Sequence, residues 1–547
     1  METPAVQYLS ECFIRPKYTP EESKQPVYLA PWDVVAVFMH YMQKGFGFAW
    51  IAIFRRKISS FSVNTFPHYL FSSHTSNRYS NFSMKNDGKC NPNGTFVFAK
   101  SLAFDTDENQ IQEFVQKLKE SLSITLIHFY PLAGRLATQK KEENPSDLAF
   151  YIDCSEGPGA RFIHASLDLT IDDITSPTHT PRIVGSLFDH GRSVNYAGHT
   201  KSLLTIQITE LIDGIFIGCS MNHMVGDGTS LWHFLDSWSE IFKAEGRTSA
   251  ISRPPVHDRW FPRGQHDPFL TLPFIHHDDH QVIISRDKAN TWLDDITAVS
   301  KTPAHDGQHD PLLSHPLRDR NDQVIISIDD ADTSPDDTIR ERIFHFSPES
   351  VAKIKAKANA ERNTTEISSL QALSAHLWRC IARARNFPSD RQTAFFTIMN
   401  VRSRLVPPMS QDCFGNYLEP AMATTGCGEL LEQGLGWAAW LLHQAVINHS
   451  HEWINSWLQT PILPRRADEP DSNTVLLGGS PRFNMYGTEF GLGKPVAIRN
   501  GSGNKFDGKL IVSPGAEGGG SMDFEICLAP HAMASLECDR ELMETVS

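Results

Sequence analysis

A strand–turn–strand–helix pattern constrains the fold of this chain most strongly. Two apolar segments between Leu203 and Ser220 alternate in hydrophobicity and meet at Asp213-Gly214, a dipeptide that favours a tight hairpin turn. Apolar residues then recur at helical spacing from Thr229 to Lys243. The pattern predicts two paired strands followed directly by a helix.

Helical patterns recur on both sides of this region. Apolar residues fall at helical spacing from Ile111 to Leu126. A strand is predicted at Ile343, and helices are predicted over 350–360 and 366–384. The apolar stripe of the last helix is typical of a helix that packs into a core. Both halves of the chain therefore contain predicted strands and helices.

The middle of the chain is predicted to be a connector. The pentapeptide Gly264–Pro268 recurs 43 residues later, and Gln281–Ser285 recurs 42 residues later. Two copies do not make a solenoid, so a duplicated linker explains them better. Between Lys301 and Arg340 there are nine Asp against four basic residues, which is typical of a solvated segment. We expect domains at 1–245 and 341–547, joined by a crossover linker at 246–340.

Charge and cysteine content exclude several functional classes. Fifty basic and 64 acidic residues leave a net charge of −14, which disfavours a nucleic-acid-binding face. Nine cysteines show no C-x-x-C pair and no zinc spacing, which is typical of reduced thiols in a cytosolic protein. The first residues lack the basic region of a secretory signal. We expect a cytoplasmic monomer.

The longest apolar stretch, Val34 to Phe54, is a poor membrane span. Polar residues interrupt it, and its uninterrupted part from Gly45 to Phe54 is too short to cross a bilayer. We expect a helix from Pro31 onward, followed by irregular structure. Because basic residues follow Phe54, a membrane-anchored variant that uses residues 45–57 remains an alternative.

An acid-free stretch overlaps this region. No Asp or Glu occurs between Asp33 and Asp87. About six would be expected from the overall acid content of the chain. We interpret residues 47–90 as an atypical insertion that is not part of the core fold.

The strongest chemical motif is Asn222–Gly228, which follows the apolar strand Ile215–Met221. A histidine between a strand end and a helix lies where binding groups are commonly exposed. A neutral imidazole at His223 can take a proton from a hydroxyl or amine near pH 7. Asp227 can hold the loop without touching a substrate.

Five motifs, in this order along the chain, resemble the plant BAHD acyltransferases. They are SLSITLIHFYPLAGRL (121–136), NHMVGDGTSLWHFLDSW (222–238), NVRSRLVPP (400–408), FGNY (414–417) and YGTEFGLGKP (486–495). The resemblance covers residues 8–46 and 95–547, apart from the repeated linker. It implies an α/β fold of two chloramphenicol-acetyltransferase-like domains, each a mixed sheet flanked by helices, with a solvent channel between them.

The same resemblance implies the chemistry. An acyl group would pass from acyl-CoA, as co-substrate, to a small alcohol or amine acceptor, with no bound cofactor, metal or covalent enzyme intermediate. His223 matches the catalytic base and Asp227 the structural acid, which pairs with an arginine in the family. Arg402 or Arg404 matches that arginine.

One motif departs from the family pattern. The usual D-F-G-W-G appears here as Glu489, Phe490, Gly491, Leu492 and Gly493, at a motif that the family uses to hold architecture. Replacing an indole by Leu492 predicts a void that costs a few kcal/mol unless neighbours repack. Just upstream, Ser480 is a weak candidate for an oxyanion donor, and Arg482 is a further candidate in a segment that lines the family's active site.

Three other features carry less weight. His276–His280 looks like a metal cluster, but the family carries a similar polar run in its linker, and we interpret it as a solvated loop. Pro514–Ser521 lacks the Lys-Ser/Thr of a phosphate loop and is predicted to connect two strands. Cys413 is interpreted as a buried thiol.

The sequence therefore predicts an acyl-CoA-dependent O- or N-acyltransferase of plant specialised metabolism. A catalytically impaired relative, with its channel disturbed by the insertions, is the alternative from another class. Neither the acyl donor nor the acceptor can be identified, because channel-lining side chains determine specificity.

Overall fold

The computed structural model describes residues 4–49, 108–144, 147–155, 157–245, 247–261, 268–271, 275–278, 281–285, 323–326, 339–459 and 473–547. Two six-stranded sheets form its framework. The first sheet has the strand order β1-β6-β7-β8-β3-β17. Its strands are β1 (Gln7–Ile14), β3 (Met42–Ala49), β6 (Ala160–Ser166), β7 (Leu204–Leu211), β8 (Gly214–Met221) and β17 (Ala497–Asn500).

The predicted hairpin and helix form the centre of this sheet. Strands β7 and β8 pair antiparallel, with Leu211 opposite Gly214 across the turn. All eight residues of β8 are buried. The turn is anchored by Asp213, whose Oδ1 accepts the backbone N–H of Ile171 at 2.8 Å. In the described part of this half, a short helix α1 (Pro31–Val34) is accompanied by α2 (Glu108–His128), α3 (Ile171–Thr175) and α4 (Gly228–Lys243).

The expectation of irregular structure after the N-terminal helix is wrong. Helix α1 (Pro31–Val34) and a short 3-10 turn (Val35–Phe38) lead into β3, which pairs with β8 on one side and β17 on the other. Gly45 lets this strand pack closely against β8, because a Cβ there would lie 2.4 Å from the Phe216 ring. The strand runs to Ala49, so residues 47–49 belong to the sheet, and the rest of the expected insertion lies outside the described residues.

The proposed membrane anchor at 45–57 is not supported over its first five residues, because 45–49 form part of strand β3 in the sheet. Among the helices that the structure describes, none combines the length and apolarity needed to cross a bilayer. Residues 50–57 lie outside the described part of the chain.

The second sheet has the strand order β13-β19-β18-β16-β14-β15. Its strands are β13 (Arg340–Phe346), β14 (Gln392–Asn400), β15 (Leu418–Gly426), β16 (Thr474–Gly479), β18 (Lys509–Pro514) and β19 (Met522–Leu528). The helices of this half are α5 (Pro348–Arg362), α6 (Ser369–Arg385), α7 (Cys427–Glu432), α8 (Leu435–Ile447), α9 (His451–Gln459), α10 (Pro530–Glu537) and α11 (Arg540–Met543).

Both helices predicted after Ile343 are confirmed. Helix α6 begins after Ser368, whose side chain accepts the N–H of Gln371, as an N-cap residue should. Its apolar stripe, with Leu373, Leu377 and Ile381 fully buried, belongs to the core of the second sheet.

The C-terminal part of the chain does not stay within the second sheet. Strand β17 completes the first sheet by pairing with β3. Phe490 and Leu492 also pack into the core of the first sheet. The motif around Phe490 was assigned to a C-terminal domain at 341–547, but in space it belongs to the first sheet. A domain boundary placed at a single point in the sequence cannot describe a C-terminal segment that returns to the first sheet.

The expected linker at 246–340 also contributes to the fold. Residues 247–261 pack against the body, with Ile251 and Arg259 each 8% exposed. Strand β9 (Leu270–Thr271) joins a small sheet of β2 (Val27–Tyr28), β4 (Arg135–Lys140) and β5 (Asp147–Asp153).

The near-repeat has a structural counterpart. Strands β10 (Ile275–Asp278), β11 (Gln281–Ser285) and β12 (Gln323–Ile326) form a three-stranded sheet. The second repeated segment therefore pairs with its own copy: Gln281–Ser285 lies antiparallel to Gln323–Ile326. Residues 276–278 of the histidine-rich run lie in β10, so the expectation of a loop is wrong there. The remainder of the linker lies outside the described residues.

Candidate active site

The loop after β8 carries His223 and is held by asparagine side chains. Asn195 Oδ1 accepts the backbone N–H of His223 at 2.7 Å. Asn222 donates through Nδ2 to the carbonyl of Asn195 at 2.7 Å, and its Oδ1 accepts the N–H of Met224 at 3.0 Å. The backbone of the loop from Asn222 to Met224 is therefore fixed by buried amides and not by the imidazole.

Asp227 ends this loop as the N-cap of α4. Its Oδ1 accepts the N–H of Ser230 at 3.0 Å, and its Oδ2 accepts the N–H of Tyr417 at 3.2 Å. The side chain is fully buried and forms a two-pronged ion pair with Arg402, at 2.7 and 3.2 Å. Because buried carboxylates need such partners, this pair accounts for the acid in the motif without any contact to a substrate.

Of the two candidate arginines, Arg402 is the partner. Besides Asp227, it donates to the carbonyls of Cys413 and Gly415 at 2.9 and 3.0 Å. Its guanidinium lies over the Tyr417 ring at 4.4 Å from the centroid. Arg404 instead donates to the backbone carbonyls of Val446 and His449 at the C-terminal end of α8, at 2.9 Å each. It supports a helix end and does not touch Asp227.

A chain of hydrogen bonds fixes the protonation of the His223 ring. Asn416 Nδ2 donates to Asp33 Oδ1 at 2.9 Å and to the carbonyl of His223 at 2.7 Å. Both partners are acceptors, so the amide orientation is determined and Asn416 Oδ1 faces His223 Nδ1 at 3.1 Å. An amide oxygen can only accept, so Nδ1 carries the proton. The lone pair of a neutral ring is then on Nε2.

Asp33 anchors this chain from the N-terminal segment. It also accepts the N–H of Ala30 and of Asn416, at 3.0 and 2.9 Å, and lies 3.2 Å from the Arg259 guanidinium. Burial raises the pKa of the Asp33 carboxyl, while Arg259 and the N–H donors act in the opposite direction.

The imidazole is poised in its neutral form. Burial is the largest influence and lowers the pKa of His223 below 6.5; its own backbone carbonyl, Asp227 and Asn416 oppose this, and Lys509 lowers it further. Among the described residues, Nε2 has no hydrogen-bond partner. A half-buried, neutral imidazole with a free Nε2 can accept a proton from a hydroxyl or amine.

The segment that carries Ser480 and Arg482 lies near the loop. Phe483 stacks on Trp232 of α4 with ring centroids 6.0 Å apart, and a Cβ on Gly228 would lie 3.3 Å from its ring. Ser480 Oγ accepts the N–H of Arg482 at 3.2 Å. Arg482 is exposed. Neither side chain contacts His223 directly.

The motif at 489–493, which differs from the family pattern, makes structural contacts with helix α4. The backbone N–H of Glu489 donates to Ser239 Oγ at 3.1 Å, and that hydroxyl donates to the Glu489 carbonyl at 2.6 Å. Phe490 is fully buried against Trp238, with ring centroids 4.5 Å apart. Gly491 and Gly493 have φ of +75° and +84°, which explains why glycine is kept at both.

Leu492 fills less space than an indole would. It is 3% exposed and, with Phe490 and Gly491, lines a cavity of about 1110 Å³ between β1, α2 and the end of α4. His223 does not border this cavity. The substitution therefore affects packing at a distance from the loop.

The remaining sequence candidates do not join the site. Within the described ranges, no three His, Cys, Asp or Glu side chains are grouped as metal ligands. Pro514–Ser521 connects β18 to β19, as predicted. Cys413 is buried, and burial raises the pKa of its thiol.

Comparison with known proteins identifies the family. The family model described as the Transferase family matches residues 88–543. An uncharacterized acetyltransferase of Arabidopsis thaliana is 31% identical over 443 residues, which cover 79% of this chain and 87% of that protein. The BAHD acyltransferase DCR of the same species is 31% identical over 450 residues, 80% and 82% of the two chains. The chain belongs to the plant BAHD acyltransferase family.

As a member of this family, the protein is an acyl-CoA-dependent acyltransferase that acts on small metabolites, as the sequence predicted. The fold is confirmed independently. Vinorine synthase superposes with a TM-score of 0.59 at 16% identity over 99% of both chains. TRI101 of F. sporotrichioides, in complex with coenzyme A and T-2, gives 0.58 at 13% identity over 96% of this chain and 99% of that one. Both share the two-sheet architecture of this BAHD protein.

Sequence reasoning missed several residues of the site. Asn416 lies in the recognised FGNY motif, so its presence was noted but its contact with His223 was not. Asp33 and Arg259 gave no signal, because they lie 383 and 157 residues from Asn416 in the sequence. Only the fold brings them together.

Proposed function

We propose that His223 is the general base in the transfer of an acyl group from acyl-CoA to a hydroxyl or amine of a small metabolite. One observation carries the proposal. The Asn416 amide, fixed by Asp33 and by the His223 carbonyl, requires a proton on Nδ1 and so leaves the Nε2 lone pair free.

The proposed reaction proceeds without a covalent enzyme intermediate. The acceptor gives its proton to His223 Nε2 as its oxygen or nitrogen attacks the thioester carbonyl. The resulting tetrahedral oxyanion collapses and breaks the carbon–sulfur bond, and the coenzyme A thiolate takes the proton from the imidazolium. A positioned base contributes about 10²–10⁴-fold to such a step. Holding both substrates in line contributes about 7–11 kcal/mol.

Two further roles complete the proposal. Asp227 orders the loop through Arg402 and the first turn of α4, and takes no part in proton transfer. Ser480 is proposed as a donor to the oxyanion, because its Oγ accepts the Arg482 N–H and its own hydroxyl hydrogen remains available. A cytoplasmic location and a monomeric state stay predictions.

The test follows thiol release from a panel of acyl-CoAs with alcohol and amine acceptors. The wild-type protein is expected to turn over at least one pair, and His223→Ala to lose at least 10²-fold in kcat with unchanged thermal unfolding. His531→Ala, at an exposed histidine outside the site, serves as the matched control. Equal turnover in His223→Ala and the control would overturn the mechanism. Coenzyme A binding by an inactive wild-type protein would favour the catalytically impaired alternative.

A further inference from the structure

A charged network crosses between the two sheets. Asn500 of the first sheet donates to Glu525 of the second at 2.9 Å. Lys505 lies between Glu341 and Glu525, 2.7 Å from the latter. Lys44 of β3 donates to Asn500 Oδ1. These contacts place the facing sides of the two sheets against each other at this point.

Lys509 belongs to the same face, and its Nζ lies over the Phe506 ring, 5.9 Å from the centroid. Gly478 lies on the adjacent strand β16, and a Cβ on it would be 3.1 Å from the Lys509 Nζ. Val475 and Leu477, at alternate positions of β16, belong to the helix-packed core, so Gly478 and the ammonium lie on the opposite face. Among the described residues, Nζ has neither a hydrogen-bond acceptor nor a carboxylate within 4.0 Å.

The charge of Lys509 affects the His223 imidazole. It is close enough to His223 to lower the pKa of the imidazole, and Lys44 is close enough to lower that of Lys509. Burial, as the main cause, brings the pKa of both lysines to about 8. Both are therefore mostly protonated at pH 7. The three lysines (44, 505, 509) outnumber the two glutamates (341, 525), and Arg192 and Arg499 add positive charge near those glutamates.

We propose that Lys44 and Lys509 bind a carboxylate of one of the two substrates, beside His223 and between the sheets. The inference rests on the proposed function and names the class of substrate. A half-buried ammonium without a hydrogen-bond acceptor or a carboxylate beside it is costly, and a charge-assisted hydrogen bond from Lys509 to an anion relieves that cost. The excess of positive charge favours an anion. The phosphates of coenzyme A are a poor match, because the pantetheine arm separates them from the thioester that reacts at His223.

Two matched pairs of probes distinguish the source of the carboxylate. Succinyl-CoA against butyryl-CoA tests the acyl donor. 4-Hydroxybenzoate against its methyl ester tests the acceptor. Isothermal titration calorimetry measures binding in both arms, and thiol release measures kcat/KM. We expect the carboxylate member of one pair to bind about 10- to 100-fold more tightly than its neutral partner.

Variants assign that preference to the lysines. Lys509→Met is expected to abolish the preference by weakening binding of the carboxylate member about 10- to 100-fold more than that of the neutral member, whereas Lys509→Arg retains part of the preference. Lys44→Met provides a second, independent loss, and Lys355→Met on the exposed face of α5 is the control. Circular dichroism verifies that each variant is folded.

Several outcomes would overturn the proposal. One is equal affinity for both members of each pair in the wild-type protein. Another is a loss of affinity in Lys509→Met that is equal for the charged and neutral members of a pair. A third is a variant that changes only the pH–rate profile, which would mean that Lys509 affects only the pKa of His223. Turnover of butyryl-CoA without any carboxylate preference would leave the proposed function intact. Because calorimetry does not require turnover, an inactive protein still tests carboxylate binding.

Discussion

Breaking the Asp227–Arg402 pair is the perturbation with the most direct structural consequences. Asp227→Asn keeps the shape of the side chain and an N-cap acceptor for Ser230, since asparagine caps as well as aspartate. It removes the negative charge and leaves the Arg402 guanidinium uncompensated, although both side chains are fully buried.

The magnitude follows from that burial. Removing one partner of a buried ion pair costs about 3–5 kcal/mol, a large fraction of the 5–15 kcal/mol that stabilises a typical domain. Arg402→Met is expected to cost a similar amount, because it leaves a buried carboxylate. The double variant has no buried charge at this position, and its cost is expected to be about 1–3 kcal/mol below the sum of the single variants.

Urea denaturation, followed by tryptophan fluorescence and circular dichroism, measures the free energy of unfolding of the wild type, the two single variants and the double variant. Urea is used because, unlike guanidinium chloride, it does not screen charge. Glu21→Gln is the control: its ion pair with Lys24 is 2.7 Å long but exposed, so a change of less than about 1 kcal/mol is expected. Additive single effects, or an Asp227→Asn cost no larger than that of the control, would refute the structural role of Asp227.

Three other predictions concern residues around the site. Asn416→Leu removes the acceptor of His223 Nδ1, so kcat should fall about 10²-fold with little change in KM; unchanged kcat in steady-state assays would contradict the positioning role. Leu492→Ala should lower the free energy of unfolding by about 2–5 kcal/mol without lowering kcat, and the reverse pattern would place the motif in the chemistry. Burial raises the pKa of Glu419 to about 8, so between pH 4.5 and 8 the native state holds a proton that the unfolded chain has released, and stability falls as pH rises. Glu419→Gln should remove that slope in urea titrations at pH 5 to 8; a slope equal to that of the wild type would show that Glu419 is ionised when folded.

Local patterns predicted the parts of the fold that depend on neighbouring residues. The hairpin at Asp213-Gly214 and helices α2, α4, α5 and α6 were predicted because turn propensity and apolar spacing act over a few residues. Strand β3 was missed since its glycines suggest a loop until Phe216 packs against Gly45. The pairing of β17 with β3 was not predicted, because partners more than 400 residues apart leave no periodic signal.

The candidate site divides in the same way. His223 and Asp227 could be recognised because they lie in one contiguous motif. The choice of Arg402 over Arg404 required the structure, since the two residues differ only in the direction of their side chains. Lys509 could not be found from the sequence, because its relevance depends on which acceptors the fold places near its ammonium.

A ¹⁵N NMR titration of the His223 imidazole tests the central claim most directly, with its signals assigned by their absence in His223→Gln. At pH 7 we predict a neutral ring with the proton on Nδ1 and an unprotonated Nε2, which becomes an imidazolium only below pH 6.5. A proton on Nε2, or an imidazolium at pH 7, would contradict the assignment of His223 as the general base.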